Sequence, residues 1–336
     1  MKPGPRNSIT DIAGLKVGNA QDKNLKSGVT VLLCDKPEIA SVAVHGGAPG
    51  TRDTELLSPE NTVEGIDALV LSGGSAFGLD AASGVQAWLR NKGRGFAVGP
   101  VNVPIVPGAI LFDLINGGDK DWGNFPPYRD FGWQAAENAS QDFLLGSQGA
   151  GTGALVAGLK GGLGTASITM ENGIKVAALF AVNALGSTLV GDTRHFHAAM
   201  FEKDGEFGAH GYPRVLPESR DAINIKFRQT VQPNTNTTIG IVATDAVLTK
   251  AEAKRLAIAA HDGIARAIWP AHTPMDGDLI FSVSTAGSGV KPEASEWIDL
   301  GACATSVTAR AIACGIYNAD SHENDVLPAY RKKYPD

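Results

Sequence analysis

Cysteine is scarce in this chain, and charged residues are few. The three cysteines, Cys34, Cys303 and Cys314, are odd in number and form no C-x-x-C pair. This argues against a disulfide framework or a structural zinc site and favours buried reduced thiols. Charged residues make up only 19% of the 336 positions, so a long disordered tail is not expected. With 43% hydrophobic residues, the chain can bury the core of one large domain or of two intimate ones.

Long basic runs and long apolar runs are also absent. The net charge is −6, from 29 Lys and Arg against 35 Asp and Glu, and no five basic residues stand together. The clustered positive charge that is typical of a nucleic-acid-binding protein is therefore absent from the sequence. No stretch of 18 apolar residues suggests a membrane span, and residues 1–6 are not followed by the apolar segment of a secretory signal. We expect a cytoplasmic enzyme with neither nucleic-acid nor membrane partners.

Glycine, by contrast, is abundant: 41 residues, or about 12% of the chain against about 7% in typical proteins. The glycines are spread through apolar segments, which indicates close backbone approach inside a compact fold. Short apolar runs predict buried strands at residues 29–33, 41–44, 68–71, 176–182, 238–243 and 279–283.

Apolar residues at helical spacing predict helices over residues 78–90, 250–268 and 300–316. The second of these begins with a capping box formed by Thr249 and Glu252. Residues 116–142 are typical of a long irregular excursion. Because strands and helices do not alternate strictly, layered sheets covered by helices fit better than a doubly wound fold.

Thr237 is the first candidate for chemistry. A polar, turn-prone segment at residues 232–236 runs directly into the strand predicted from residue 238. A threonine hydroxyl is a poor nucleophile without an adjacent base. If the Asn236–Thr237 bond were cut, the freed α-amine, with a reference pKa of about 7.7–8.0, would supply that base. Taken alone, however, such a segment is more often an ordinary polar loop leading into a strand.

An acidic pair, Asp276 and Asp278, brackets Gly277 just before a predicted strand. The two carboxylates fit a general acid or base with an orienting group, a metal site, or a structural turn. Because no histidine or carboxylate cluster is near in sequence, metal is the weakest of these readings. His195 and His197 also lack a nearby third ligand, and His45 and His272 fit core or turn positions equally well.

Two further polar residues lie in apolar surroundings. Lys160 follows a glycine-rich run at residues 149–158 that does not match a phosphate-binding loop, because no Ser or Thr follows the lysine. A partly buried lysine there can donate a hydrogen bond or a charge. Asn183 is an amide within an apolar strand, where it either pairs with backbone or directs its N–H toward an oxyanion.

Ordered matches over nearly the whole chain connect these separate signals. They fall at residues 9–18 (ITDIAGLKVG), 46–54 (GGAPGTRDT), 71–79 (LSGGSAFGL) and 103–107 (VPIVP). With them the chain resembles the L-aminopeptidase/D-amino-acid esterase (DmpA-type) family, which also contains the nylon-oligomer (6-aminohexanoate oligomer) endohydrolases.

The resemblance implies a helix–sheet–sheet–helix sandwich in one hydrolase domain, with no cofactor and no metal. It implies a chain that cuts itself into residues 1–236 and 237–336, with Thr237 as nucleophile and its amine as base. Asn183 then corresponds to the oxyanion-stabilising position. Lys160 corresponds to a lysine that supports the nucleophile in the nylon-hydrolase branch, and Asp276 and Asp278 to the acidic pair of that branch. Such proteins act on small amide or peptide substrates and assemble as homotetramers of the cleaved unit.

One position departs from the family pattern, and two other functions stay open. Phe112 stands where some relatives place an active-site tyrosine, which puts a second hydroxyl donor in doubt. An acyltransferase of the ornithine acetyltransferase type also uses a cleaved threonine, and a non-catalytic metabolite-binding relative would keep the fold. The preferred substrate, whether an L-peptide, a D-amino-acid amide, a β-peptide or a nylon oligomer, is not decided by these residues.

Overall fold

A computed structural model describes residues 1–226 and 236–335. The strands in these ranges are β1 (Leu15–Asp22), β2 (Ser27–Val44), β3 (Thr51–Arg52), β4 (Ile66–Ser72), β5 (Phe96–Val98), β6 (Val101–Val103), β7 (Gly108–Ile110), β8 (Leu155–Val156), β9 (Leu159–Lys160), β10 (Gly162–Thr169), β11 (Lys175–Asn183), β12 (Thr237–Thr244) and β13 (Leu279–Ser284). The α-helices are α1 (Ala81–Asn91), α2 (Tyr128–Glu137), α3 (Lys250–Ala267), α4 (Ala294–Tyr317) and α5 (Tyr330–Lys333).

The long strand β2 joins two sheets into one continuous hydrogen-bonded path. The strand order is β10-β11-β12-β13-β2-β4-β7-β3, and β1 also pairs with β2. The first half of β2 pairs with β1 and β4, whereas residues 39–44 pair with β13. The β2–β4 register shifts between Leu33 and Glu38, so the strand can leave one sheet and enter the other. The two runs predicted at residues 29–33 and 41–44 are therefore parts of one strand.

The fold has four layers, with a hydrophobic cluster between each neighbouring pair. One outer cluster lies between helices α3 and α4 and the β10–β13 sheet, and the other lies between helices α1 and α2 and the β1–β2–β4 sheet. The middle cluster lies between the sheets and combines side chains such as Ile239, Phe281, Leu32 and Leu69. Alternate residues of each strand point to opposite sides, so each sheet contributes to two of the clusters. The predicted helix–sheet–sheet–helix sandwich is confirmed.

Most predicted elements occur where the sequence patterns placed them. The capping box at Thr249 and Glu252 opens α3. The prediction of an irregular excursion over residues 116–142 is wrong in part, because α2 occupies its centre. The apolar face of α2, on which Tyr128, Ala135 and Ala136 are buried, is short and follows turn-forming residues, so the sequence pattern did not predict the helix.

Helix α4 is long and apolar enough to cross a membrane by length and composition alone, with a mean hydropathy of 1.2 in its most apolar window. The helix is not an uninterrupted apolar run, since Glu296, Asp299 and Arg310 lie within it. In the fold, 72% of that window is buried, and the helix packs against α3 and the β10–β11 pair. Burial by protein accounts for this composition as it does for any core helix.

Candidate active site

Thr237 opens strand β12, where several candidate residues meet at one end of the sheet. β-Branched residues crowd this strand, and all eight of its residues are buried. Thr237 is opposite Asn183, the last residue of β11. On the other side, Asn236 forms a parallel bridge with Asp276, just before β13. The register of three neighbouring strands thus brings together residues 54 and 39 positions apart along the chain. Of the segment preceding Thr237, residues 232–235 lie outside the described ranges.

The carbonyl oxygen of Asn236 receives two hydrogen bonds. The backbone N–H of Gly277 donates at 2.9 Å, and the hydroxyl of Thr237 donates at 2.5 Å. Thr237 and Asn236 are 4% and 2% exposed, so both bonds are shielded from water. The structure therefore places a hydroxyl and a backbone donor at the same peptide carbonyl, directly at the predicted junction.

Both carboxylates of the acidic pair accept hydrogen bonds from backbone N–H groups. The Oδ1 atom of Asp278 accepts from the Thr238 N–H at 2.8 Å, and its Oδ2 lies 3.0 Å from Nδ1 of His272. Asp276 accepts from the N–H and the hydroxyl of Thr273 at 2.9 and 2.6 Å. Burial and the nearby charge of Asp278 raise the pKa of Asp276.

Asn183 is held by hydrogen bonds at both ends of its amide. Its Oδ1 accepts from the N–H of Leu155 at 2.9 Å and from Nζ of Lys226 at 3.0 Å. Its Nδ2 donates to the carbonyl oxygen of Phe112 at 2.9 Å. These bonds fix the orientation of the Asn183 amide: its oxygen, and not its nitrogen, faces the ammonium of Lys226. Phe112 takes part through its backbone, so its ring chemistry does not decide this contact.

The profile of peptidase family S58 matches residues 7–325 of this chain. The chain belongs to peptidase family S58. An uncharacterized aminopeptidase of Mycobacterium tuberculosis is 42% identical over 354 residues, with 98% of each protein covered. The resemblance to the L-aminopeptidase family is thereby confirmed, and this S58 protein is a hydrolase of the aminopeptidase type.

More distant relatives agree with the family and with the fold. A 6-aminohexanoate-oligomer endohydrolase of a Kocuria species is 26% identical over 285 residues, covering 82% of this chain and 74% of its own. The solved structure of L-aminopeptidase D-Ala-esterase/amidase from Ochrobactrum anthropi has a TM-score of 0.70 at 21% identity, with 99% and 95% of the two chains covered. That enzyme is described as a variant of the Ntn hydrolase fold.

Lys226 is a residue of the site that the sequence analysis missed. Only 4% of it is exposed, and its Nζ donates to the carbonyl oxygen of Leu155 at 2.9 Å as well as to Asn183. Burial lowers the pKa of Lys226 to about 7, although Asp276 and Asp113 act in the opposite direction. Nothing in its polar, irregular sequence neighbourhood distinguishes it from a solvated lysine.

Lys160 is engaged with an acidic side chain in the structure. Its Nζ donates to Oδ2 of Asp325 at 2.9 Å, and the other carboxylate oxygen of Asp325 accepts from Lys26 at 3.1 Å. Within residues 1–226 and 236–335, no hydrogen bond joins the Lys160 ammonium to Asn183 or Thr237. Lys160 is 3% exposed, and burial lowers its pKa despite the Asp325 carboxylate. Its predicted catalytic role stays a prediction, and the described contacts are those of a buried ion pair.

The surrounding S58 fold leaves a small cavity beside the amide of Asn183. Its lining residues are Phe112, Asp113, Ile115, Asn116, Gly153, Leu155, Asn183 and Lys226. Asp113 is buried, and this burial raises its pKa. Its Oδ1 accepts from the N–H of Gly74 at 2.7 Å. A buried carboxyl and a buried amine therefore face the same small space, a pattern common at functional sites.

Proposed function

We propose that this S58 hydrolase cuts its own Asn236–Thr237 bond and then uses Thr237 as an N-terminal nucleophile on small amide substrates. The observation that carries the proposal is the position of the Thr237 hydroxyl, 2.5 Å from the carbonyl oxygen of Asn236. A hydroxyl so close to its own preceding carbonyl group needs little motion to reach the carbonyl carbon.

Self-cleavage follows from this arrangement in two steps. Oγ1 of Thr237 attacks the carbonyl carbon of Asn236, the C–N bond breaks, and the hydroxyl proton ends on the Thr237 nitrogen. The result is an ester between Asn236 and Oγ1 and a free Thr237 amine; water then hydrolyses the ester to the Asn236 carboxylate and the Thr237 hydroxyl. The N–H of Gly277, 2.9 Å from the Asn236 oxygen, stabilises the negative charge that develops there.

The mature enzyme then carries its base on its nucleophile. A free α-amine has a reference pKa of about 7.7–8.0, so a useful fraction is neutral near pH 7 and can accept the Thr237 hydroxyl proton. Asp278 holds the following residue through the Thr238 N–H. Asn183 lies opposite Thr237 and is the side-chain donor that we assign to the substrate oxyanion.

For the substrate we propose a small peptide or amino-acid amide. The relative at 42% identity is named an aminopeptidase, whereas the 6-aminohexanoate-oligomer endohydrolase is only 26% identical. A panel of aminoacyl p-nitroanilides beside a 6-aminohexanoate oligomer, assayed on one preparation, separates the two classes. Faster turnover of the oligomer would contradict the peptide assignment without affecting self-cleavage.

Two neighbouring threonines provide a matched test of the nucleophile. Thr237→Val keeps the β-branched shape but removes the hydroxyl, so we expect an intact 34.9 kDa chain on denaturing electrophoresis. Thr238→Val should mature as the parent does, because Oγ1 of Thr238 is buried without a hydrogen-bond partner among the described residues. The parent and Thr238→Val should give fragments of about 25 and about 10 kDa, the smaller beginning with Thr237. A cleaved Thr237→Val chain or an uncleaved parent would refute the proposal.

We further propose that the cleaved unit assembles as a homotetramer. The β5–β6 hairpin supports this, because it exposes Phe96, Val98, Val101 and Val103 by 48–66%. Apolar side chains clustered on a protruding hairpin are typical of a surface that is covered in an assembly. Light scattering after size exclusion should give four cleaved units, and Phe96→Asp should lower that number. A monomeric parent would contradict the proposal.

A further inference from the structure

Three histidines from distant parts of the chain lie close together, and one of them contacts Asp278 of the acidic pair. His45 follows β2, His261 lies in α3, and His272 precedes β13. One ring nitrogen of each lies within 4.8 Å of the others. The ring centroids of His45 and His261 are 3.8 Å apart, and those of His261 and His272 are 4.9 Å apart. The separation of these residues in sequence is why no such cluster was expected.

One ring nitrogen of His261 is unprotonated and has no hydrogen-bond partner among the described residues. Its Nε2 lies 2.9 Å from the carbonyl oxygen of Ala43, which can only accept, so Nε2 carries the hydrogen and Nδ1 the lone pair. Nδ1 is buried and has no hydrogen-bond partner in the described chain. His261 is only 2% exposed. A buried imidazole lone pair without a partner is costly unless a ligand satisfies it.

His272 shows the same pattern through the opposite nitrogen. Its Nδ1 lies 3.0 Å from Oδ2 of Asp278, and a carboxylate requires Nδ1 to be the donor. The lone pair of neutral His272 is therefore on Nε2, which is buried. A carboxylate that orients a histidine in this way is the usual support of a metal-ligating imidazole.

His45 provides the third nitrogen and the open side. It is exposed, so an ion can enter past it and water can occupy a fourth position. In a tetrahedral zinc site, nitrogen ligands at about 2.0–2.1 Å from the metal are about 3.4 Å from one another. Nitrogens that all lie within 4.8 Å of one another would have to close by no more than about 1.4 Å, and the ring of His45 is exposed and so has room to tilt.

We propose that His45, His261 and His272 bind one divalent transition-metal ion of the zinc class. Imidazole nitrogens suit zinc, cobalt, nickel and copper, whereas magnesium and calcium prefer oxygen ligands. The site connects to the candidate active site through Asp278, whose second oxygen holds the Thr238 N–H. A bound ion would therefore fix His272 and Asp278 together, next to Thr237. This inference does not depend on self-cleavage.

The test is a zinc titration of the full-length protein after EDTA treatment and removal of the chelator. Calorimetry should show one saturable zinc site per chain, and zinc should raise the melting temperature. His45→Gln should weaken that binding about tenfold or more, because one ligand is lost while the exposed position leaves no hole in the core. The control is His195→Gln, since His195 lies outside the cluster.

Cobalt gives the coordination number independently. Co²⁺ bound to the parent should show the visible absorption of a four-coordinate ion, and His45→Gln should lose it. Absence of zinc binding by the parent would overturn the proposal. So would equal zinc affinity of the parent and His45→Gln, or a loss of the site in His195→Gln. None of these outcomes bears on whether the Asn236–Thr237 bond is cut.

Discussion

The α-carbon of Gly277 packs so close to the hydroxyl of Thr237 that no side chain fits at position 277. A β-carbon at position 277 would lie 2.7 Å from Oγ1 of Thr237 and 2.7 Å from the carbonyl oxygen of Ala48. The close approach lets the Gly277 N–H reach the carbonyl oxygen of Asn236 while the Thr237 hydroxyl contacts the same atom. Glycine is thus required at this position by the packing around the nucleophile.

Gly277→Ala should slow self-cleavage by about 100-fold or more, because the new methyl group displaces either the hydroxyl or the backbone donor. The rate at which the intact chain disappears after synthesis, followed on denaturing gels, measures this. Gly301→Ala is the matched control, since the nearest atom to a β-carbon there is at an ordinary 3.6 Å. Maturation of Gly277→Ala at the parental rate would show that the contact is not limiting.

Asn183→Asp should lower kcat by about 100-fold or more. The variant keeps an oxygen for the N–H of Leu155 and for Lys226, but it replaces the donor nitrogen with an oxygen that faces the carbonyl of Phe112. Steady-state kinetics on an aminoacyl p-nitroanilide, with the matured fraction measured in parallel, gives the answer. Asn172→Asp makes the same change at an exposed turn and should leave kcat at the parental value. A kcat for Asn183→Asp near that of the parent would remove Asn183 from the mechanism.

Lys226→Met should change how stability depends on pH. Burial lowers the pKa of Lys226 to about 7, whereas its ordinary value is 10.5. Between these two pH values the unfolded chain binds more protons than the folded chain, so this residue makes the free energy of unfolding rise with pH. The parent should therefore gain stability over Lys226→Met as the pH is raised from 7 toward 10.

Urea denaturation of both proteins at several pH values measures this difference. An exposed lysine changed in the same way, Lys36→Met, controls for the loss of one positive charge. A stability difference between parent and Lys226→Met that stays constant over the interval would mean that Lys226 is not buried as described. Because Lys226 holds Asn183, the variant should also lose activity at every pH.

Lys160→Met separates the two interpretations of this lysine. If its main contact is the ion pair with Asp325, the variant should lose up to about 3 kcal/mol of stability, because the partly buried carboxylate keeps only Lys26 as a charged partner. Its kcat should stay close to that of the parent. Lys16→Met breaks an exposed pair with Asp35 instead and should cost less than about 1 kcal/mol. A large fall in kcat for Lys160→Met without a loss of stability would place Lys160 in the mechanism.

Local patterns were sufficient for much of the fold and for the centre of the candidate site. The apolar runs marked β11, β12 and β13 because a buried strand depends mainly on its own side chains. Thr237 stood out because a polar segment changes to a buried strand at that residue. The helix α2 was missed since its apolar face is short and follows two prolines.

The sequence by itself determined the layered fold class, the change from polar segment to buried strand at Thr237 and the acidic pair, because these depend on residues close together in the chain. Only the tertiary structure decided the environment of the lysines and histidines. Lys226 reaches Leu155 across 71 residues, and His261 reaches Ala43 across 218. Whether such a side chain is solvated, paired or open to a ligand depends on which distant backbone covers it. Desolvation by that cover sets its protonation and its chemistry.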